Sequence, residues 1–362
     1  MSPLEAELVR LIRDEGPLPV SRFMALALGH PRHGYYMTRD PFGQEGDFTT
    51  APEISQMFGE LIGLWAAHLW QAMGAPARFR LVELGPGRGT LMADLLRATR
   101  IVPGFHAALS VHLVETSPVL RAKQAQALRG AGAIWHDTLA AALDGPAIVL
   151  ANEFLDALPL DQFAMTAEGW HERLVGLDEG GLAFGLALVR EDSLKIAAPV
   201  GSVFEQPFAA LDIVTQVARH VAREGGGALF IDYGSIRSGF GDTLQAMKRH
   251  AFVDPLAAPG EADLTVHVDF ERIGQAALQA GAALHGPATQ RDFLLALGLA
   301  QRAQALSQKA DPAQRRALSE AFDRLVAPGE TGMGDLFKVL ALSHPALPPL
   351  PGFDLHRVPE QA

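Results

Sequence analysis

The 362-residue chain contains no cysteine. Disulfides, thiolate zinc sites and cysteine nucleophiles are therefore excluded. Its thirteen histidines are scattered and never form a His-Glu-x-x-His pair, so no motif requires a metal. No stretch approaches the roughly 20 unbroken apolar residues of a spanning helix, and no membrane insertion is expected. Basic clusters are short, as at Arg315-Arg316 and Lys248-Arg249. With a net charge of −11, the chain lacks the basic surface that nucleic-acid binding needs. Such a charge suits a cationic ligand or target. Charged residues make up 20% and apolar residues 48%, the composition of a folded protein with a large core. The segment Met1 to Gly16 carries Glu5, Glu7, Asp14 and Glu15, which fits neither a transit peptide nor a signal peptide. The expected location is the cytoplasm of a bacterial cell.

Along the chain, residues 3–15 place Leu4, Leu8, Leu11 and Ile12 on one helical face, ended by Gly16-Pro17. A second helix is expected over Val20–Leu28. A long Gly/Pro/aromatic stretch, Gly29 to Pro52, has the character of a lid or binding loop, and Ser55–Met73 returns to helix. Strands and helices then alternate. Strands are expected at Arg80–Leu84, Leu109–Val114, Ala133–Trp135, Ala147–Leu150 and Ala228–Ile231. Helices are expected at Thr90–Ala98 and at Ser117–Arg129, with Ser117 as cap and Pro118 in the first turn. This alternation predicts an α/β fold with a parallel sheet covered on both faces. Residues 160–200 read as short β-hairpins and 286–327 as helical, both as insertions, and Leu336–Leu342 as a late strand that closes the sheet.

The first strand runs into Glu83-Leu84-Gly85-Pro86-Gly87-Arg88-Gly89-Thr90. Glycines two apart let the backbone turn sharply and approach a ligand, and the next helix offers its N-terminal N–H groups. The dinucleotide spacing Gly-x-Gly-x-x-Gly would place its third glycine where Thr90 stands. The observed Glu-x-Gly-x-Gly-x-Gly form instead has the shape of the first methyltransferase motif. Glu115 ends the second strand, where a carboxylate can accept bonds from both ribose hydroxyls of a nucleotide. A side chain at Gly85 is expected to enter the ligand's space. An NAD-dependent oxidoreductase is the alternative that shares this acid.

Asn152, Glu153 and Asp156 follow the fourth strand, at the carboxyl end of the sheet where ligands of open α/β sheets bind. A guanidinium acceptor is cationic and a poor nucleophile, and nearby carboxylates can orient it. Glu153 is the stronger candidate; Asp156 could equally cap the next turn. Thr50 or the Pro52 region could cap the 55–73 helix, with Glu53 serving its dipole. His267 and Asp269 form a lower-ranked acid–base candidate.

Several ordered motifs together carry a resemblance. They are Gly46 to Glu60, Glu83 to Leu91, Asn152 to Pro159, Ile231-Asp232-Tyr233-Gly234, Gly241 to Ala246, Val253 to Leu256, Asp263 to Phe270 and Met333 to Leu340. On them the chain resembles the MidA-like methyltransferases, a family that includes the mitochondrial arginine methyltransferase needed for respiratory complex I assembly. The resemblance implies a Rossmann-like class I core, S-adenosylmethionine as donor, and a protein arginine as acceptor, in the mitochondrial branch on a complex I subunit. It implies donor binding by Glu83, Gly85, Gly87, Gly89 and Glu115, with Asp47 and Thr50 in a stretch that closes over the donor. Gln290-Arg291-Asp292 departs from the family pattern, which has glycine after the glutamine. The expected organisation is N-terminal helices and lid over 1–75, a donor-binding core over 76–285 with the hairpin insertion, a helical lobe over 286–330, and a closing strand and tail over 331–362. An assembly factor that binds the donor without using it is a further alternative.

Overall fold

The computed structural model describes residues 2–39, 49–329 and 332–353. Its centre is an eight-stranded sheet with seven strands along its main path: β1 (Phe79–Leu84), β2 (Leu109–Val114), β3 (Ile134–His136), β4 (Ala147–Asn152), β5 (Gly226–Ser235), β6 (Ala283–Thr289) and β7 (Phe337–Ser343); the eighth, Val268–Asp269, pairs in parallel with the end of β5. The spatial order is β6-β7-β5-β4-β1-β2-β3. Strands β1 to β5 pair in parallel, and β7 inserts antiparallel between β5 and β6. The central strands are buried on both faces, as the near-continuous apolar run of β4 requires. The third strand begins one residue later than the sequence pattern predicts.

One face packs on the helix Gln56–Ala72, whose Phe58, Leu61, Ile62, Trp65 and Leu69 recur at helical spacing. The other face packs on Phe208–Glu224 and Phe270–Gln279. Ser55 caps the Gln56 helix through the Met57 N–H. Thr50 does not serve that helix; it precedes a separate short one, Ala51–Ile54, and makes no side-chain cap bond.

The expected 1–75 unit is split between two cores. Helix Pro3–Glu15, closed by a Ser2/Glu5 capping box, and helix Val20–Gly29 bury Leu4, Leu8, Phe23 and Met24 against Leu160, Val175 and Leu264. They thus belong with the insertion, while Gln56–Ala72 belongs to the central sheet. An amphipathic face announces that a helix needs a partner but not which one. The insertion itself is larger than a pair of short hairpins. Strands Asp161–Thr166, Gly169–Asp178, Gly181–Arg190 and Val203–Gln206 form an antiparallel sheet that also takes in Leu18–Pro19. A further small sheet, Gln245–Lys248, Ala251–Val253 and Asp263–Thr265, lies within the expected core span.

The helical lobe comprises Gln290–Ala296, Leu299–Ser307 and Pro312–Val326. Arg291 lies inside a regular helix, capped by the Thr289 hydroxyl on the Asp292 N–H, so the departure at this position leaves the local structure intact. Among the described residues no helix is long and apolar enough to cross a membrane.

Glu60, 3% exposed, ties three helices together. Its carboxylate accepts from Arg97 at 2.7 Å and from Arg302 at 2.6 and 3.0 Å, joining the lobe to the core. Burial opposes its charge, but the bonds from Arg302 and Arg97 outweigh burial and hold its pKa below the ordinary value. A depressed carboxyl stabilises the fold above its unfolded pKa, and the contribution is lost as pH falls through the folded pKa. Glu60→Gln should therefore cost about 1–2 kcal/mol at neutral pH, with both arginines partly exposed and screened. In thermal melts its deficit against the wild type should shrink as the pH is lowered below about 4.

Candidate active site

The strand order reverses between β1 and β4, so the carboxyl ends of these strands frame a crevice. The glycine loop leaves β1 there. Gly85, Gly87 and Gly89 have φ of 58°, 53° and 84°, a left-handed backbone that the absence of a side chain permits. The Gly85 N–H donates to the Val114 carbonyl, which locks the loop against β2. The expectation about Gly85 needs correction in its cause. A Cβ placed there meets the ring of Phe154, 2.7 Å away, before anything else.

Glu83 lies under the loop at 3% exposure, and its Oε2 is buried with no hydrogen-bond partner. Burial pushes its pKa up to about 8. Glu115, just past β2, accepts from the Ser117 N–H at 2.8 Å and the Gln124 amide at 3.1 Å. Gln124 also donates to the Gly87 carbonyl, so one side chain holds the loop and the acid in register. Asp137, just past β3, lines the same cavity as Glu115. It repeats at the third strand the acid that ends the second, a signal present in the sequence but not used.

Glu53 does more than favour a helix dipole. Its Oε1 accepts from the Thr90 hydroxyl and its Oε2 approaches Arg88 at 3.7 Å, so segment 50–54 is fastened over the glycine loop. Thr50, Glu53, Glu83, Thr90 and Asn152 surround a small cavity of about 30 Å³ there. Asp47 lies outside the described residues.

Beyond β4, Glu153 has φ of 50°, rare and costly for a residue with a side chain. Its Oε1 accepts from the Ala51 N–H at 3.0 Å and the Asn152 amide at 3.1 Å. Glu153 lines both the large cavity and the small one beneath segment 50–54. Burial pushes the Glu153 carboxyl up to about 8. Asn152 Oδ1 is buried without a partner. Asp156 stands in a turn, and the Ala157 N–H favours its charged form. It is 5% exposed, its Oδ1 has no partner, and burial raises it to about 6. Asp232, on β5, holds the whole segment: its Oδ2 accepts the N–H groups of Phe154, Leu155 and Asp156 at 3.1, 2.9 and 3.2 Å. The His267–Asp269 pair is not formed. Asp269 caps the next helix through Arg272 N–H and takes the Ser238 hydroxyl, while His267 is exposed beside Tyr233.

Gly85, Glu115, Asp137, Glu153, Asp156 and Asp263 all face one cavity of about 1280 Å³. Its walls come from the core, the N-terminal helices and the small 245–265 sheet. The residues fit S-adenosylmethionine. The open glycine loop admits close backbone contact, Glu115 offers acceptors for ribose hydroxyls, and the orphaned Glu83 and Asn152 oxygens suit an ammonium. When bound, that cofactor supplies a methyl group on a sulfonium centre.

Fold and site together define a class I S-adenosylmethionine-dependent methyltransferase. The sequence matches the S-adenosyl-L-methionine-dependent methyltransferase family model over residues 61–288. It is 36% identical to the mitochondrial protein arginine methyltransferase NDUFAF7 homolog of Drosophila melanogaster, over 94% of this chain and 84% of that protein. Identity to NDUFAF7 of Homo sapiens is 35%, over 94% and 83%. The fold matches that of a candidate methyl transferase from Burkholderia thailandensis, crystallised with S-adenosyl-homocysteine, with a TM-score of 0.85 and 33% identity over 97% and 94% of the two chains. The chain belongs to this family of MidA-like methyltransferases, and S-adenosylmethionine is its cofactor. The oxidoreductase alternative is not favoured.

Gly85→Ala should weaken S-adenosylhomocysteine binding about tenfold or more, through the left-handed backbone and the Phe154 contact. Calorimetry on Gly85→Ala with Phe154→Ala should show part of the affinity restored. If Phe154→Ala restores nothing, the ring is not what the new methyl group disturbs.

Proposed function

We propose that this chain methylates an arginine side chain of a protein substrate, acting in the cytoplasm of a bacterial cell. A respiratory complex I subunit is the target to which the family resemblance points. The observation that carries the reading is electrostatic. Glu115, Asp137, Glu153, Asp156 and Asp263 line the large cavity, and among the described residues no lysine or arginine does. A cleft lined by acids of one sign favours a cation. An arginine side chain stays cationic to pH above 12 and presents a planar fork of donors to carboxylates.

The proposed roles follow from the positions. Glu83, Gly85, Gly87, Gly89 and Glu115 hold the donor, with Thr50, and Asp47 beyond the described residues, closing over it. Glu153 faces the acceptor. Methylation of a guanidinium nitrogen releases one proton, and the Glu153 carboxylate takes it in this reading. Asn152 fixes Glu153 Oε1, and Asp156 orients the acceptor from the other side. The names of the relatives, protein arginine methyltransferases, support the same acceptor.

A cation binds best once these carboxyls are ionised. Because burial raises Asp156 to about 6 and Glu153 to about 8, kcat/KM should climb from pH 6 through 8 and flatten above. Glu153→Gln should remove the upper step and lower kcat about 10²-fold or more. The acceptor is tested with lysate from a strain lacking the gene, purified protein and isotopically labelled S-adenosylmethionine. Mass spectrometry should find labelled arginine in one protein. Label confined to lysine or to a small molecule would overturn the arginine reading.

A further inference from the structure

We propose that Asp156 and Asp263, each backed by a tyrosine, form a two-carboxylate subsite that grips the acceptor's guanidinium and selects it over an ammonium. The proposal rests on the arginine reading above and deepens it. Asp263 is 4% exposed and begins the strand Asp263–Thr265 of the small sheet. Tyr36, on the short helix Tyr35–Thr38, donates its hydroxyl to Asp263 Oδ1 at 2.8 Å. Tyr233 stands close enough to Asp156 to favour its charged form. The Val266 N–H donates to the Asp156 carbonyl at 3.0 Å, which stitches the Asp263 strand beside the segment that follows β4.

Two observations indicate a ligand rather than a merely structural cluster. Asp156 lines the cavity, and its Oδ1 is buried with no partner, a group that a bound donor reaching it would satisfy. The two acids also arrive from separate elements, so they bracket a space instead of capping one turn. Burial and the charges of Asp263 and Asp156 push the Tyr36 hydroxyl up, so it stays a neutral donor that steadies Asp263. Tyr233 packs edge-on against Phe337 and His267, with ring centres 5.6 and 5.4 Å apart, and gives the space a flat aromatic wall. A planar fork can bond two carboxylates at once and stack on that wall. A compact ammonium cannot span both acids. Asp156 and Asp263 are binding residues in this scheme; Tyr36 and Tyr233 are positioning residues.

The test uses the full chain saturated with S-adenosylhomocysteine and titrated with N-acetyl-arginine amide or N-acetyl-lysine amide. The arginine probe should bind saturably and at least tenfold more tightly than the lysine probe. Asp263→Asn, close to isosteric, should weaken the arginine probe tenfold or more while changing S-adenosylhomocysteine affinity less than twofold, which also reports that the variant is folded. Tyr36→Phe should weaken the probe several-fold, with the same control. Unchanged arginine binding in Asp263→Asn, or no saturable binding of either probe to the wild type, overturns the subsite. Preferred binding of the lysine probe, lost in Asp263→Asn, would overturn the arginine reading of the function while leaving these residues as the acceptor contact.

Discussion

One buried carboxylate organises the catalytic end of the sheet. Asp232 receives three successive main-chain N–H groups on Oδ2 and the Tyr233 N–H on Oδ1. Buried amides that lose such a partner carry the full cost of desolvation, so the segment 154–156 has no comparable alternative path. Burial and the charges of Asp156 and Glu153 oppose ionisation of Asp232, and the four N–H donors favour it. The result is a rigid turn that faces Glu153 and Asp156 into the cavity although neither is held by a regular element. Phe154 is fixed by the same turn, and its ring in turn fills the space above Gly85. Cofactor loop and acceptor side therefore share one anchor.

The cavity's character is local rather than a reflection of overall charge. The chain carries thirty lysines and arginines, yet among the described residues none lines the large cavity. Arg88 is drawn to Glu53 on the outer side of the loop, and Arg121 to Asp137 and to the Glu115 carbonyl. Basic groups thus brace the acidic rim without entering it. The N-terminal helices complete the enclosure. Ser117, whose N–H bonds Glu115, donates its hydroxyl to the Tyr36 carbonyl at 2.6 Å, and the Tyr36 hydroxyl reaches Asp263. One residue of the N-terminal segment so touches both halves of the site.

Much of the core was legible because its signals are local. Strands buried on both faces read as apolar runs, Ser117-Pro118 marks a helix start, and the glycine spacing places the loop. Glu83, Glu115, Glu153 and Asp156 could be singled out because each stands at or just beyond a strand end. Tertiary partnerships were not legible. Tyr36 and Asp263 lie 227 positions apart, and nothing in either segment announces the other. The strands at 245–265 are three or four residues long, too short for a periodic pattern. The capture of residues 3–29 by the inserted sheet and the role of Phe154 above Gly85 depend on packing that no single segment encodes. Asp232 was visible at the end of β5, but its importance lies in amides more than seventy positions earlier.

Glu153 carries a cost that its neighbours do not. With φ at 50° it occupies backbone space that glycine enters freely and that costs a side chain on the order of 1 kcal/mol. Its carboxyl is also held in a site that disfavours charge. Both penalties would vanish with glycine at this position, and so would the bonds that Glu153 Oε1 accepts from the Ala51 N–H and the Asn152 amide. Selection for thermostability alone would thus weigh a strained, buried acid against the strap it gives to segment 50–54. A survey for hardier variants that ignored turnover would report which of the two the scaffold values more.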